Sequence, residues 1–106
     1  MKLINITFAV SKNASARLVS LLSSEIIPAM AAHGYRNLLL SRVVPPEETD
    51  GAESDAIALQ GRVHSTDVHY RFLENGPLGT IHAKVGERIP MFITELDVVF
   101  DHNTDK

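Results

Sequence analysis

The chain predicts an α+β domain in which one antiparallel sheet carries helices on a single face. Three observations lead there. Four stretches alternate apolar and polar residues with a period of two, two other stretches repeat apolar residues at spacings of three and four, and they follow one another as strand, helix, strand, strand, helix, strand. At 106 residues with 44% hydrophobic content, there is material for one core and no second one. A single domain is expected over residues 1–100, with residues 101–106, "DHNTDK", as a polar tail.

Leu3 to Val10 puts Ile4, Ile6, Phe8 and Val10 on one side, and Leu3, Asn5, Thr7 and Ala9 on the other. This is a strand with one strongly apolar face. Its apolar residues, the early Lys2 and an Ala-x-Ala faintly imitate a secretory leader, but Asn5 and Thr7 interrupt the run as a half-buried strand requires. Ser11 or Asn13 can cap the helix that follows, whose stripe is Ala14, Leu18, Leu21, Leu22, Ile26, Ala29, Met30 and His33. Gly34 supplies the stop. Pro28 lies inside the stripe, where a missing N–H and a ring clash cost about 3 kcal/mol in an unbroken helix, so a kink or break is expected between Ser24 and Ile27.

Tyr35 to Val44 is strand-like with ambiguous faces: Leu38 and Leu40 lie between Arg36 and Arg42, and Tyr35, Leu39 and Val43 alternate with Asn37 and Ser41. "PPEETDGAES" is a loop by its turn chemistry, and the five acids from Glu47 to Asp55 are expected to keep a hairpin tip solvated. Asp55 to His64 alternates Ile57, Leu59 and Val63 with Ala56, Ala58, Gln60, Arg62 and His64. Ser65 and Thr66 are capping candidates for a helix reaching about Glu74, which "NGP" interrupts near Gly76-Pro77. Pro77 then opens a second piece with the stripe Leu78, Ile81, His82, Val85 and Ile89. Met91 to Phe100 reads as the last strand, with Phe92, Leu96, Val98 and Phe100 on its more apolar side.

With right-handed crossovers this order is the ferredoxin-like βαββαβ arrangement, a four-stranded antiparallel sheet with its helices on one face. If Ile4, Ile6, Phe8, Ile57, Leu59, Val63, Phe92 and Leu96 pack under the helices, the other face presents Leu3, Asn5, Thr7, Ala9, Ala58, Gln60, Arg62 and His64, with Met91, Ile93 and Glu95. Such a face is too apolar for plain solvent and too polar for a dry core. Its simplest partner is a second copy related by a two-fold axis, sheet against sheet. Asn5, Thr7, Gln60, Arg62 and His64 would line the seam and, with His82, form the candidate ligand-binding set, Arg62 anchoring an anionic group.

Ten Lys and Arg against thirteen Asp and Glu leave a net charge of -3, with no basic stripe for a phosphate backbone. No apolar run approaches the roughly 20 residues of a membrane-spanning helix. The absence of cysteine fits a reducing compartment, so a cytoplasmic protein is expected. His64, Asp67 and His69 could each ligate a divalent ion, but their spacing matches no ligand motif, and neither a metal nor another cofactor is expected. Ser23 and Ser24 lack a nucleophile-elbow setting, and "GPLG" lacks the lysine of a phosphate loop. No catalytic residue stands out.

"LINITFAV", "EIIPAMAAHGYRNLLLSRV" and "YRFLENGPLGTIHAKVGERIPMFITELDVV" together resemble a family of small single-domain bacterial proteins of unknown function, which is similar in turn to the dimeric α+β-barrel group. The points that carry it are Ile27-Pro28, the spacing of Tyr70, Phe72, Pro77, Leu78 and His82, and Phe92-x-Thr94-x-Leu96. The resemblance implies a fold and a homodimer and transfers no catalytic residue. The expected function is a non-enzymatic module that binds a small ligand or a protein; the alternative is a cofactor-independent, monooxygenase-like enzyme acting on a small acidic or aromatic substrate, with His64 or His82 as base and Arg62 holding the acid.

Overall fold

The computed structural model describes residues 1–44 and 54–102. Its strands are β1 (Lys2–Ser11), β2 (Arg36–Arg42), β3 (Ser54–Val63) and β4 (Met91–Asp97). They form one antiparallel sheet in the order β2-β3-β1-β4, the ferredoxin-like topology expected from the element order. Strict alternation along β1 and β3 buries Ile4, Ile6, Phe8, Val10, Ile57, Leu59 and Val63, and these meet Ala14, Leu18 and Leu21 of α1 (Lys12–Leu21). Burying one such aliphatic or aromatic side chain is worth about 1.5–3 kcal/mol, so this two-layer contact dominates the stability of the domain. Ser11 caps α1 by accepting the Ala14 N–H at 3.2 Å. Among the described residues no helix is long and apolar enough to cross a membrane.

Pro28 acts as expected, in a specific way. The chain widens into a π-turn over Leu22–Ile26 before α2 (Ile27–Ala32), and the Ile27 N–H reaches back to the Leu22 carbonyl. One extra residue in the turn accommodates the proline. The Ser23 and Ser24 hydroxyls donate back to the Val19 and Ser20 carbonyls at 2.9 and 2.7 Å. Gly34, at φ 103, then ends the helical segment.

The second helical segment is broken at the expected place: α3 (Thr66–Asn75), a 3₁₀ turn at Pro77–Thr80 and α4 (Ile81–Val85). Pro77 takes the first-turn position, where its missing N–H has no role, and Gly86 at φ 94 stops α4.

Two strands differ from the sequence expectation. In β2 the register with β3 shifts between Arg36 and Leu39, with Asn37 at φ 55, so the period of two breaks. Arg36 pairs with Arg62 and Leu39 with Gln60 on the uncovered face, whereas Leu40 pairs with Leu59 and Arg42 with Ile57 under the helices. That bulge is the reason the faces of residues 35–44 are ambiguous from alternation alone.

In β4 the expected faces are reversed. Ile4 pairs with Glu95, Ile6 with Ile93 and Phe8 with Met91, while Leu3 pairs with Leu96, Asn5 with Thr94 and Thr7 with Phe92. Directly paired residues share a face, so Met91, Ile93 and Glu95 point to the helical side, and Phe92 and Leu96 point away from it. Choosing the more apolar side as the buried one fails here because the uncovered face is itself apolar at this edge. The strand also ends at Asp97 rather than Phe100. The expected acidic hairpin tip falls on residues 45–53, which, like residues 103–106, lie outside the described residues. Asp55 belongs to β3, where Lys12 and Arg42 flank it at 3.1 and 3.7 Å.

Candidate functional site: an uncovered sheet face and a buried histidine

Asn5, Thr7 and Gln60 come together at the middle of the uncovered face. Asn5 pairs with Gln60 across β1 and β3, and its amide donates to Thr7 Oγ1 at 3.3 Å. Around this polar centre stand Leu39, 57% exposed, Phe92, 64% exposed, and Leu96, 45% exposed. Arg62 lies toward the end of the same face, pairing with Leu3, and its Nη1 meets Asp101 Oδ2 at 2.5 Å. The guanidinium thus already holds a carboxylate, beside a shallow cleft of about 230 Å³ lined by Met1, Arg62 and the backbone path from Val98 to Asp101.

The two candidate histidines lie outside the strands. His64 is exposed in the bend that follows β3. His82 is on α4, in the helical layer, and its Nδ1 accepts the Ile89 N–H at 2.8 Å, closing the turn between α4 and β4. Of the six ligand-binding candidates, the fold brings Asn5, Thr7, Gln60 and Arg62 onto one surface, leaves His64 exposed just beyond the end of β3, and places His82 in the helical layer.

His64, Asp67 and His69 do not converge. His64 and Asp67 are exposed, whereas His69 turns inward beside Phe72, both fully buried on the apolar face of α3. There the Tyr35 hydroxyl meets His69 Nδ1 at 2.8 Å. On the far side of the ring, Nε2 faces Glu95 Oε2 at 3.8 Å, beyond hydrogen-bond reach, and it is a buried polar atom with no partner. Tyr70 sits over the same carboxylate, its hydroxyl 3.5 Å from Oε1.

The environment sets the protonation of this row. Burial pushes the His69 imidazole below its usual value, and the Glu95 charge opposes this only partly. Burial, with the Glu95 charge adding to it, pushes the Tyr35 phenol up to about 12. At neutral pH the phenol therefore keeps its proton and the imidazole is neutral. With the phenol donating to Nδ1, the remaining ring proton sits on Nε2 and points at Glu95. The arrangement offers one buried donor and one nearby carboxylate acceptor, with a gap between them.

Sequence reasoning did not assemble these three residues. Tyr35, His69 and Glu95 lie on three elements, and Glu95 faces the helices only through the β1–β4 register. The one available signal was His69 three residues before Phe72, which places a polar group on the buried stripe of α3.

Neither a family model nor a curated protein sequence matches the chain. Solved structures do. A dimeric ferredoxin-like protein from an uncultured marine organism superposes with a TM-score of 0.66 at 13% identity, over 95% of this chain and 97% of its own. A Mycobacterium tuberculosis protein does so with a TM-score of 0.67 at 22% identity, over 97% and 100%. The fold is ferredoxin-like. A candidate antibiotic biosynthesis monooxygenase from Deinococcus radiodurans is similar as well, with a TM-score of 0.65 at 18% identity over 97% of both chains. At these identities the likeness concerns the fold, and function has to be argued from the residues.

Proposed function

We propose that the protein is a homodimeric small-ligand-binding module whose two copies close their uncovered sheet faces on each other. One observation carries this reading: the β1–β4 register places Phe92 and Leu96 on the same exposed face as Asn5, Thr7 and Gln60. Large apolar side chains around a polar centre match an interface that excludes water at its rim and keeps hydrogen-bonding groups inside. A two-fold axis through the sheet would bring two copies of that polar centre together, and the enclosed amides and hydroxyls would bind an uncharged or weakly polar ligand. The dimeric state named for the marine protein of the same fold is in keeping with this.

Sedimentation equilibrium tests it. The wild-type protein should sediment at twice its 11.6 kDa chain mass. Phe92→Asp should sediment as a monomer with an unchanged far-ultraviolet spectrum, and Ile93→Asp, on the opposite side of β4, should keep the dimer. A wild-type monomer at 100 μM would overturn the reading.

The second reading is an enzyme of the cofactor-independent, monooxygenase-like kind. Its specific support is the His69 site, since a neutral buried imidazole between a phenol and a carboxylate suits general acid-base work. In that case the acid-base group is His69 rather than His64 or His82, its Nε2–H acting as the proton donor. Loss of turnover in His69→Gln, with His64→Gln and His82→Gln unaffected, separates it from the non-enzymatic reading.

A further inference from the structure

The chain beyond β4 turns back along the end of the sheet. The β1–β4 ladder reaches the pair Lys2 and Asp97, and the Val98 N–H then donates to the Met1 carbonyl at 3.3 Å. Because β1 lies between β3 and β4, the segment that starts at Val98 passes the end of β1 in bringing Asp101 to Arg62 on β3. The ion pair formed there is largely shielded from water, its side chains 24% exposed at Arg62 and 12% at Asp101. Val99 and Phe100 on the same segment are 94% and 78% exposed, so apolar packing does little to hold it in place. Beside it lies the cleft of about 230 Å³ that Arg62 shares with Met1 and the residues from Val98 to Asp101.

This corner also gathers positive charge. Arg36 of β2 stands directly opposite Arg62 on the same face, and like charges in that position weaken a strand pair, a penalty that an anion beside them relieves. Each guanidinium presents several N–H donors in a planar fork that matches a carboxylate. The contact of Asp101 Oδ2 with Arg62 Nη1 at 2.5 Å shows that a carboxylate fits here. A free carboxylate on an apolar body would make the same contact and would also cover the apolar side chains of Met1, Val98 and Phe100, which Asp101 leaves facing the cleft or the solvent. A phosphate or a dicarboxylate is less suited, because its second charge would stay close to the displaced Asp101.

We propose that the cleft at the Arg62 end of the sheet is a binding site for a small apolar monocarboxylate, which takes the place of Asp101 on Arg62 with Arg36 as the second cation. Asp101 is then a tethered competitor, present at the effective concentration, in the millimolar range, that a short link to its target provides. All of these residues belong to one chain, so the site does not rest on the dimer reading, and its ligand differs in charge from one held by Asn5, Thr7 and Gln60.

The test uses benzoate and hexanoate as probes, each against its own neutral amide, titrated into the ¹⁵N-labelled full chain. Both acids should bind saturably, with backbone amide shifts centred on Leu3, Arg62 and Val98 to Asp101, and each neutral amide should bind about tenfold more weakly. Asp101→Asn removes the competing charge at an end of the chain where the core is untouched, and should bind the acids about tenfold more tightly than wild type. Arg62→Gln should bring the acids down to the level of the amides, and Arg36→Gln should weaken them by a smaller factor. The Phe92→Asp variant should bind them as wild type does, which separates failure of this site from failure of the dimer. Equal affinity for acids and amides, shifts centred elsewhere, or unchanged or weaker binding in Asp101→Asn would each overturn the proposal.

Discussion

Tyr35 and His69 are joined through the core, the phenol oxygen 2.8 Å from Nδ1, although 34 residues separate them and each belongs to a different layer. The bond ties the entrance of β2 to the middle of α3. Tyr35→Phe keeps the ring, which also packs edge-on against Phe72 at 5.4 Å, and deletes only the hydroxyl. The imidazole would then be buried without a partner at either nitrogen, so the variant should lose about 1–3 kcal/mol in urea unfolding. In a Tyr35→Phe, His69→Leu double variant the stranded nitrogens are gone as well, and the loss should be smaller than the sum of the two single losses.

The same pair predicts two limbs in the pH dependence of stability. The imidazole is depressed in the folded state, so near neutrality it is uncharged whether folded or not, and its contribution is intact. As pH falls below about 6.5 the unfolded chain takes up a proton that the folded chain refuses, and stability drops until the folded-state value is passed. Tyr35 acts at the other end. Its phenol is raised from 10.0 to about 12, so the unfolded chain ionises first and stability is lost as pH rises from 10 through about 12. His69→Gln should flatten the first limb and Tyr35→Phe the second, as read from urea midpoints measured across pH.

Alternation and helical spacing made the element order legible, and with it the topology, because β1, β3 and the two helical segments each have one clearly apolar side. The local signals were also dependable where a backbone group is missing or unusual: Pro28 and its π-turn, Gly34, and Pro77 after Gly76. What could not be read was set by long-range pairing. The faces of β4 depend on which β1 residue stands opposite Phe92, and the faces of β2 depend on a bulge of one residue. A shift of one position turns a strand over, and composition decides the direction only when one face is polar. On β4 neither is, so the register decided it, and the place of Glu95 beside His69 followed from that.

Gly61 records how tightly β2 sits over β3. A Cβ there would stand 2.7 Å from Leu38 Cδ2 and 3.5 Å from both Leu38 Cγ and Tyr35 Cδ2. The nearest atom is the end of a side chain, which can turn away at the cost of its packing. Gly61→Ala should therefore lose about 1–3 kcal/mol while keeping the fold. Gly61→Ala combined with Leu38→Ala should lose less than the sum of the two, and thermal unfolding of the four proteins checks this coupling.

Gly76 is a harder case, because what its side chain would meet cannot move away. Gly76 closes α3 by donating its N–H to the Phe72 carbonyl at 2.6 Å, and a Cβ at this position would overlap that same oxygen and lie 3.1 Å from two atoms of the Phe72 ring. Relief requires shifting the backbone at the end of α3 or the ring, and the fully buried Phe72 ring packs on both Tyr35 and His33. Gly76→Ala should cost about 3 kcal/mol, at the upper end for one added methyl group, and should disturb the Tyr35 and His69 resonances through Phe72. Gly79, further along in the 3₁₀ turn, is the control: a Cβ added there would meet nothing within 4 Å. Gly79→Ala should accordingly be neutral or stabilising by about 0.5–1 kcal/mol through the lost flexibility of the unfolded chain. Opposite outcomes at the two glycines in urea unfolding would tie the break between α3 and α4 to the contact with Phe72, whereas equal losses would assign it to backbone freedom alone.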